Sequence, residues 1–292
     1  MELNKITGLM NLGNTCFLNS ALQLLFNCPD IINLILKYDY DTNNEFMNKY
    51  KQTFIDYFNK NTRTLGPMIL YKRYQKLNIN YLGHTPEDAH EYLTFILDDI
   101  DELIKKTLIN DLLKNFKELY EIKLLSEVKC LECNYKSITK CNEKILLLTL
   151  DNCNTLEECY NDFTKPEFLF DDNRWNCDKC KHKVKASKKI EIDKFPEYLL
   201  ITLKRFISND NGSLFKDDKK IDIPLVYNFN GTRNYNLTGI IFHIGSIRGG
   251  HYISAITKNK TEWFLIDDTS HREIKWEELD NLLKFAYILL YN

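Results

Sequence analysis

Asn11-Leu12-Gly13-Asn14-Thr15-Cys16-Phe17-Leu18-Asn19-Ser20-Ala21-Leu22-Gln23-Leu24-Leu25 sets a thiol at the start of a helix. Leu18, Leu22 and Leu25 fall on one line and Phe17, Ala21 and Leu24 on another. Both lines have i, i+4, i+7 spacing and together cover most of a helical circumference. A helix without a solvent face is expected to run through the middle of a lobe. Asn14 or Thr15 can cap it, with Cys16 in the first turn. Unpaired N–H groups and the helix dipole favour negative charge there, which predicts a lowered thiol pKa.

Outward from this helix, a second begins at Thr85-Pro86-Glu87-Asp88, a cap residue, a proline for the first helical position and acids for the first turn. Its apolar line is Ala89, Leu93, Ile96 and Ile100. Residues 31 to 82 and 101 to 118 also read as helical. From Tyr120 the pattern becomes one of strands rich in Ile, Leu, Tyr and Phe, at 121 to 128, 143 to 150, 188 to 193, 198 to 207, 237 to 244, 252 to 257, 262 to 266 and 286 to 291. Helices first and strands afterwards predict an α+β fold, with a helical lobe over about residues 1 to 118. Polar segments 171 to 176 and 208 to 220 read as loops.

The chain has 292 residues, 44% hydrophobic and 27% charged, the composition of a globular protein with room for a large core. A net charge of -2 gives no general attraction to nucleic acid or to anionic membranes. Met1-Glu2-Leu3-Asn4-Lys5 lacks the apolar run of a signal peptide, and no stretch is long enough to span a membrane. The expectation is a soluble intracellular monomer, cytoplasmic or nuclear, with neither nucleic acid nor membrane as partner. Nine cysteines, an odd number, fit reduced thiols better than a disulfide framework. Cys28, Cys141, Cys153 and Cys159 show no pattern and read as buried small apolar residues.

Two further constellations carry chemistry. His251 stands in Gly249-Gly250-His251-Tyr252, followed by Asp267-Asp268 after the aromatic segment Trp263-Phe264-Leu265-Ile266. Cys16, His251 and Asp267, in that order, supply a nucleophile, a base and a residue to orient it, the papain-like order. Cys130/Cys133 and Cys177/Cys180 form two Cys-x-x-Cys knuckles, and four thiolates suit one tetrahedral structural zinc with no position open for catalysis. His182 is an alternative ligand, although a surface place is the ordinary one for it. Lys179, Lys181, Lys183, Lys185, Lys188 and Lys189 flank the second knuckle, without the aromatics that stack on bases.

The segment 8 to 23 resembles the cysteine box of the ubiquitin-specific proteases, and His243-Ile244-Gly245, Gly249-Gly250-His251-Tyr252 and 263 to 268 resemble their histidine box. Pro86-Glu87-Asp88-Ala89-His90-Glu91-Tyr92-Leu93 and Pro196-Glu197-Tyr198-Leu199-Leu200-Ile201-Thr202-Leu203-Lys204-Arg205-Phe206 are similar to two intervening motifs. The resemblance runs from about residue 7 to 291. It implies a papain-like fold in one catalytic domain over 1-292, with a helical thumb (about 1-118), mainly fingers with a zinc ribbon (about 119-195) and a mainly β palm (about 196-292).

The resemblance also implies a deubiquitinase that cuts the isopeptide or peptide bond after the C-terminal glycine of ubiquitin. Cys16, His251 and Asp267 are then catalytic, Asn11 supplies the oxyanion-hole amide, and Asp268 is a secondary candidate that supports the histidine or the oxyanion. Asp88 and Glu91 take the positions that bind ubiquitin arginines, and Tyr252 that of an aromatic against the ubiquitin tail. Zn2+ is the structural cofactor, one per chain, and ubiquitin and ubiquitinated proteins are the partners. Glu87 and Tyr92 depart from the family's glutamine and phenylalanine without touching the triad. A silent ubiquitin-binding scaffold, a zinc-ribbon nucleic-acid binder and a protease for a ubiquitin-like modifier are the competing readings.

Overall fold

All eleven residues of α1 (Cys16–Phe26) are buried, because the helix lies at a seam between two layers. The computed structural model describes residues 5–38, 44–78, 81, 87–107, 109–208, 211–229, 231, 233–247 and 249–292. On one side of α1 stand α2 (Pro29–Lys37), α3 (Glu45–Tyr57), α4 (Met68–Leu77), α5 (Ala89–Lys105) and α6 (Asn110–Tyr120), with β1 (Gly8–Leu9) and β2 (Thr64–Leu65) paired in parallel. On the other side is a sheet. The expected place within a lobe thus becomes a place between lobes.

Beyond α6 the chain forms β3 (Ile122–Cys130), β4 (Lys136–Glu143), β5 (Ile145–Leu148), α7 (Leu156–Thr164), β6 (Glu167–Leu169), β7 (Trp175–Asn176), β8 (Lys183–Val184) and β9 (Ala186–Lys194). It continues as β10 (Leu199–Leu203), β11 (Phe206–Ser208), β12 (Leu214–Lys216), β13 (Val226–Tyr227), β14 (Tyr235–Ser246), β15 (Gly249–Thr257), β16 (Trp263–Asp267), β17 (Ser270–Ile274), α8 (Trp276–Asp280) and β18 (Ala286–Tyr291). Eight strands form the sheet under α1, in the order β17-β16-β15-β14-β18-β10-β5, with β13 added beside β14. A separate four-stranded sheet, β4-β3-β9-β6, carries the knuckles at its end. This is the expected α+β architecture, although β5, within the stretch assigned mainly to fingers, lies in the palm sheet beside β10. Among the described residues, no helix is long and apolar enough to cross a membrane.

Several boundaries differ from the sequence reading. Helix α5 starts at Ala89, capped by Asp88, whose side chain accepts from the His90 N–H; Thr85 and Pro86 lie outside the described residues. The single strand expected over 198 to 207 is two, broken at Lys204 and Arg205. The Arg205 side chain turns fully inward, where Nε donates to Ala286 O (2.5 Å) and Nη1 to Asp217 O and Lys219 O (2.8 Å each). A guanidinium presents five donors in a fixed fork, so one residue ties three chain segments together. Segment 208 to 220, expected as a loop, contains β12, which pairs with β11.

The turn after β16 is pressed onto β1. Leu9 N donates to Asp268 O at 2.8 Å, and a Cβ on Gly8 would stand 2.2 Å from Thr269 O. Backbone cannot yield as a flexible side-chain tip can, so only glycine permits this approach. Gly8→Ala is therefore expected to lower stability by about 1–3 kcal/mol, the ordinary cost of overpacking. Equilibrium urea unfolding checks this, and an unchanged midpoint would show that β1 and the turn separate without cost.

Candidate active site

Cys16 is the first residue of α1, and its own N–H, that of Phe17 and that of Tyr252 on β15 all point at the thiol. The cap differs from the expected form. Thr15 occupies the N-cap position, but its hydroxyl takes the Leu12 N–H (2.8 Å) rather than a helical one. Asn14 adopts a left-handed φ of 54° in the preceding turn. The side chain of Asn11 organises that turn, with Oδ1 accepting from Gly13 N (3.0 Å), Thr15 N (3.1 Å) and Thr15 Oγ1 (3.3 Å).

The expected lowering of the thiol pKa does not occur. Burial is the largest influence and pushes the Cys16 thiol up, and the charge of Asp268 adds to it, against the lowering by the three N–H groups. A helix N-terminus acts over one turn, whereas Cys16 is 5% exposed and its thiolate would lose most of its hydration. Burial at this position thus favours the protonated thiol over the thiolate.

His251 stands one residue before Tyr252 on β15. The register Ser254↔Ile266 places Asp267 on the same face of the sheet as His251. His251 Nε2 lies 2.7 Å from Asp267 Oδ1. A carboxylate accepts, so Nε2 carries the proton and Nδ1 is the ring nitrogen left for a second partner. Gly250 before it has no room for a Cβ, which would meet His243 Nε2 at 2.1 Å. Burial, followed by the Lys216 charge, holds His243 down to about 4, so this neighbouring imidazole stays neutral beside His251.

Asp268 stands beside the histidine, with a carboxylate oxygen within 4.8 Å of a His251 ring nitrogen, but its hydrogen bonds run elsewhere. Its backbone has a left-handed φ of 49°, and its carboxylate joins two amides, accepting from Asn11 Nδ2 at 2.9 Å and from Asn19 Nδ2 at 2.7 Å. Asn19 was not singled out from the sequence. An amide on a mostly apolar helix, three residues beyond the thiol, was the one available sign of it.

The positions expected to meet substrate are more occupied than expected. Asp88 Oδ1 caps α5, and Oδ2 accepts from Tyr287 Oη at 2.6 Å. Glu91 is exposed on the next turn, and burial, then the charges of Asp88 and Glu87, push its carboxyl up. The Tyr252 ring is buried, 4.7 Å from the His243 ring, and its hydroxyl meets the Ala89 N–H.

At the end of the smaller sheet the four cysteines converge. Cys130 Sγ is 3.9 Å from Cys180 Sγ and Cys133 Sγ is 3.7 Å from Cys177 Sγ, and all four sulfurs lie within 4.8 Å of one another. Thiolates around a tetrahedral ion bound at about 2.3 Å stand about 3.8 Å apart, so the cluster fits one metal ion. Each knuckle closes through a left-handed residue four beyond its first cysteine, Asn134 (φ 58°) and Lys181 (φ 61°). Backbone N–H groups of Glu132, Cys133 and Cys180 point at Cys130 and Cys177. His182 stays outside, between Cys180 O (2.9 Å) and Glu132 (3.1 Å).

A family model described as ubiquitin carboxyl-terminal hydrolase matches residues 7–291. Ubiquitin carboxyl-terminal hydrolase 36 of Drosophila grimshawi is 27% identical over 317 residues, covering 98% of this chain and 25% of its own length. Ubiquitin carboxyl-terminal hydrolase 16 of Arabidopsis thaliana is 29% identical over 316 residues, covering 97% of this chain and 30% of its own. The chain thus spans between a quarter and a third of these two relatives. Among solved structures, the SAGA Ubp8/Sgf11/Sus1/Sgf73 DUB module bound to ubiquitin aldehyde superposes with a TM-score of 0.84 and 27% identity, over 98% of this chain and 69% of that one.

A thiol pushed up by burial gives a signed expectation. Alkylation of Cys16 by iodoacetamide in the free protein should be slow at neutral pH and rise through and beyond the ordinary thiol range of about 8.5. Mass-spectrometric labelling rates at Cys16 across pH test this. A rate already flat below neutral pH would show a pre-formed thiolate instead.

Proposed function

The chain belongs to the ubiquitin carboxyl-terminal hydrolase family, and on that premise we propose that it is a thiol-dependent deubiquitinase. It hydrolyses the isopeptide or peptide bond after the C-terminal glycine of ubiquitin. The observation that carries this reading is the 2.7 Å bond between His251 Nε2 and Asp267, which leaves Nδ1 as the base, together with the placing of Tyr252 N–H at Cys16 Sγ. Cys16 attacks the glycine carbonyl while Nδ1 takes its proton. Asp267 holds the tautomer and stabilises the imidazolium that forms. The negative oxygen of the tetrahedral intermediate is met by the Asn11 amide and the N–H groups at the start of α1. His251 returns the proton to the leaving amine, then removes one from the water that hydrolyses the thioester.

Ubiquitin as the substrate is supported by the similar DUB module, which was bound to ubiquitin aldehyde. Its C-terminal tail, Leu-Arg-Leu-Arg-Gly-Gly, is extended and basic, which suits the acids Asp88 and Glu91. With Tyr252 buried, its share of tail recognition falls to the backbone of β15. The four-cysteine cluster would hold one zinc, and with all four positions taken by sulfur the ion would be structural. A reducing compartment, cytoplasm or nucleus, completes the reading, because nucleophile and cluster both require reduced thiols.

Cys16→Ala is expected to abolish release of a fluorophore from the C-terminus of ubiquitin while leaving ubiquitin binding largely intact. Asn11→Ala should lower kcat by roughly two orders of magnitude at nearly constant KM, since its amide acts on the transition state. Turnover by Cys16→Ala at the wild-type rate would end the cysteine-protease reading. Failure of the unmodified protein to react with a ubiquitin C-terminal electrophile would favour the silent scaffold instead. Elemental analysis should find one zinc per chain, lost in Cys177→Ser together with thermal stability of the smaller sheet; a metal-free, fully stable protein would exclude it.

A further inference from the structure

Asn19 is 2% exposed, one of three buried polar side chains that α1 carries with Ser20 and Gln23. Burying an amide is costly unless it is hydrogen-bonded, so its partners explain its presence. Nδ2 donates to Asp268 Oδ1 (2.7 Å) and to Leu9 O (3.3 Å), whereas Oδ1 has no partner. All the polar contacts of this side chain therefore point one way, to the turn after β16 and to β1. The other Asp268 oxygen, Oδ2, holds Asn11 Nδ2.

We propose that Asn19 is a positioning residue for acyl transfer at Cys16: it fixes the Asp268 carboxylate, which in turn aims the Asn11 amide at the oxyanion. The inference rests on the roles given above to Cys16 and Asn11. The physical reason lies in the helix. Cys16 and Asn19 are three residues apart on one rigid element and share a face. The element that sets the position of the sulfur thereby also sets the far end of the Asn19–Asp268–Asn11 chain. Asn11 sits on a loop, and its Oδ1 is fixed only by that loop. The Nδ2 end is registered against the nucleophile through Asp268, itself held from its backbone by Leu9 N (2.8 Å). An oxyanion donor is effective only within a few tenths of an ångström of its position, so a support of this kind bears directly on rate.

The test compares Asn19→Ala, Asn11→Ala and the double variant of the full chain on ubiquitin bearing a fluorogenic C-terminal amide. Asn19→Ala should lower kcat about tenfold and leave KM within about twofold, a loss confined to the transition state. The double variant should be no slower than Asn11→Ala, within about twofold, because the second change removes support from an amide already gone. Alkylation of Cys16 by iodoacetamide builds no oxyanion and should keep its rate in Asn19→Ala. Multiplying losses in the double variant, alkylation falling in step with kcat, or an unchanged kcat would each overturn the proposal. If Asn19→Ala does not fold, Asn19→Leu, which removes the donor at similar volume and adds no charge, must give the same pattern. A costly Asn11→Ala beside a silent Asn19→Ala sinks this inference alone, whereas a silent Asn11→Ala sinks the oxyanion assignment with it.

Discussion

The burial of α1 on every side is the constraint on which the rest depends. A helix with a solvent face can slide or tilt at small cost, whereas one with Phe17 against Tyr92 and Tyr74 on the helical side and Leu24 against Gly239 on the sheet side cannot. Asn27 at its far end donates to the carbonyls of Thr238 (2.8 Å) and Thr257 (3.3 Å), which fixes the helix lengthwise on β14 and β15. Fully burying each of its apolar side chains is worth about 1.5–3 kcal/mol. The helix is thus one of the stiffest elements available, and its first residue is the thiol.

The same burial sets the electrostatics of the site. A thiol at a solvated helix end would ionise readily; at this seam burial pushes it up, and the Asp268 charge adds to that. The site holds three N–H donors around the sulfur, and donors of this kind gain most when negative charge develops beside them. His243 illustrates how closely the surroundings are controlled. A second imidazole packed on Gly250 would compete with His251 if it titrated, but burial keeps it neutral.

The smaller sheet obeys different physics. Beyond the shared core, the cluster at its end contains only Cys130, Cys177 and Val184 as fully buried apolar residues. That is too little apolar area to fix two loops. The four sulfurs stand at the spacing of a metal tetrahedron, and the energy of an ion bound there would also be energy of folding. The stacked pair of Tyr135 and Trp175, 6.3 Å apart, shields one side of it.

The sequence by itself determined the features that depend on local pattern or chemical identity. The apolar lines of α1, the continuous apolar run of strand 286 to 291, the α+β order and the paired Cys-x-x-Cys knuckles were all legible, because each is written within a few adjacent residues. Strands β4 and β17 were not, because Lys136–Glu143 and Ser270–Ile274 are largely exposed and carry little apolar alternation. Tertiary structure alone decided the break at Arg205, whose partners lie up to 81 positions away, and the direction of the Cys16 shift, which follows from how much protein surrounds the sulfur. It also decided that Asp268 is hydrogen-bonded to two amides, through bonds spanning 257 and 249 positions. Sequence spacing carries no information about such pairings; they exist only because α1 is held against β15 and β16, bringing the turn after β16 over its N-terminus.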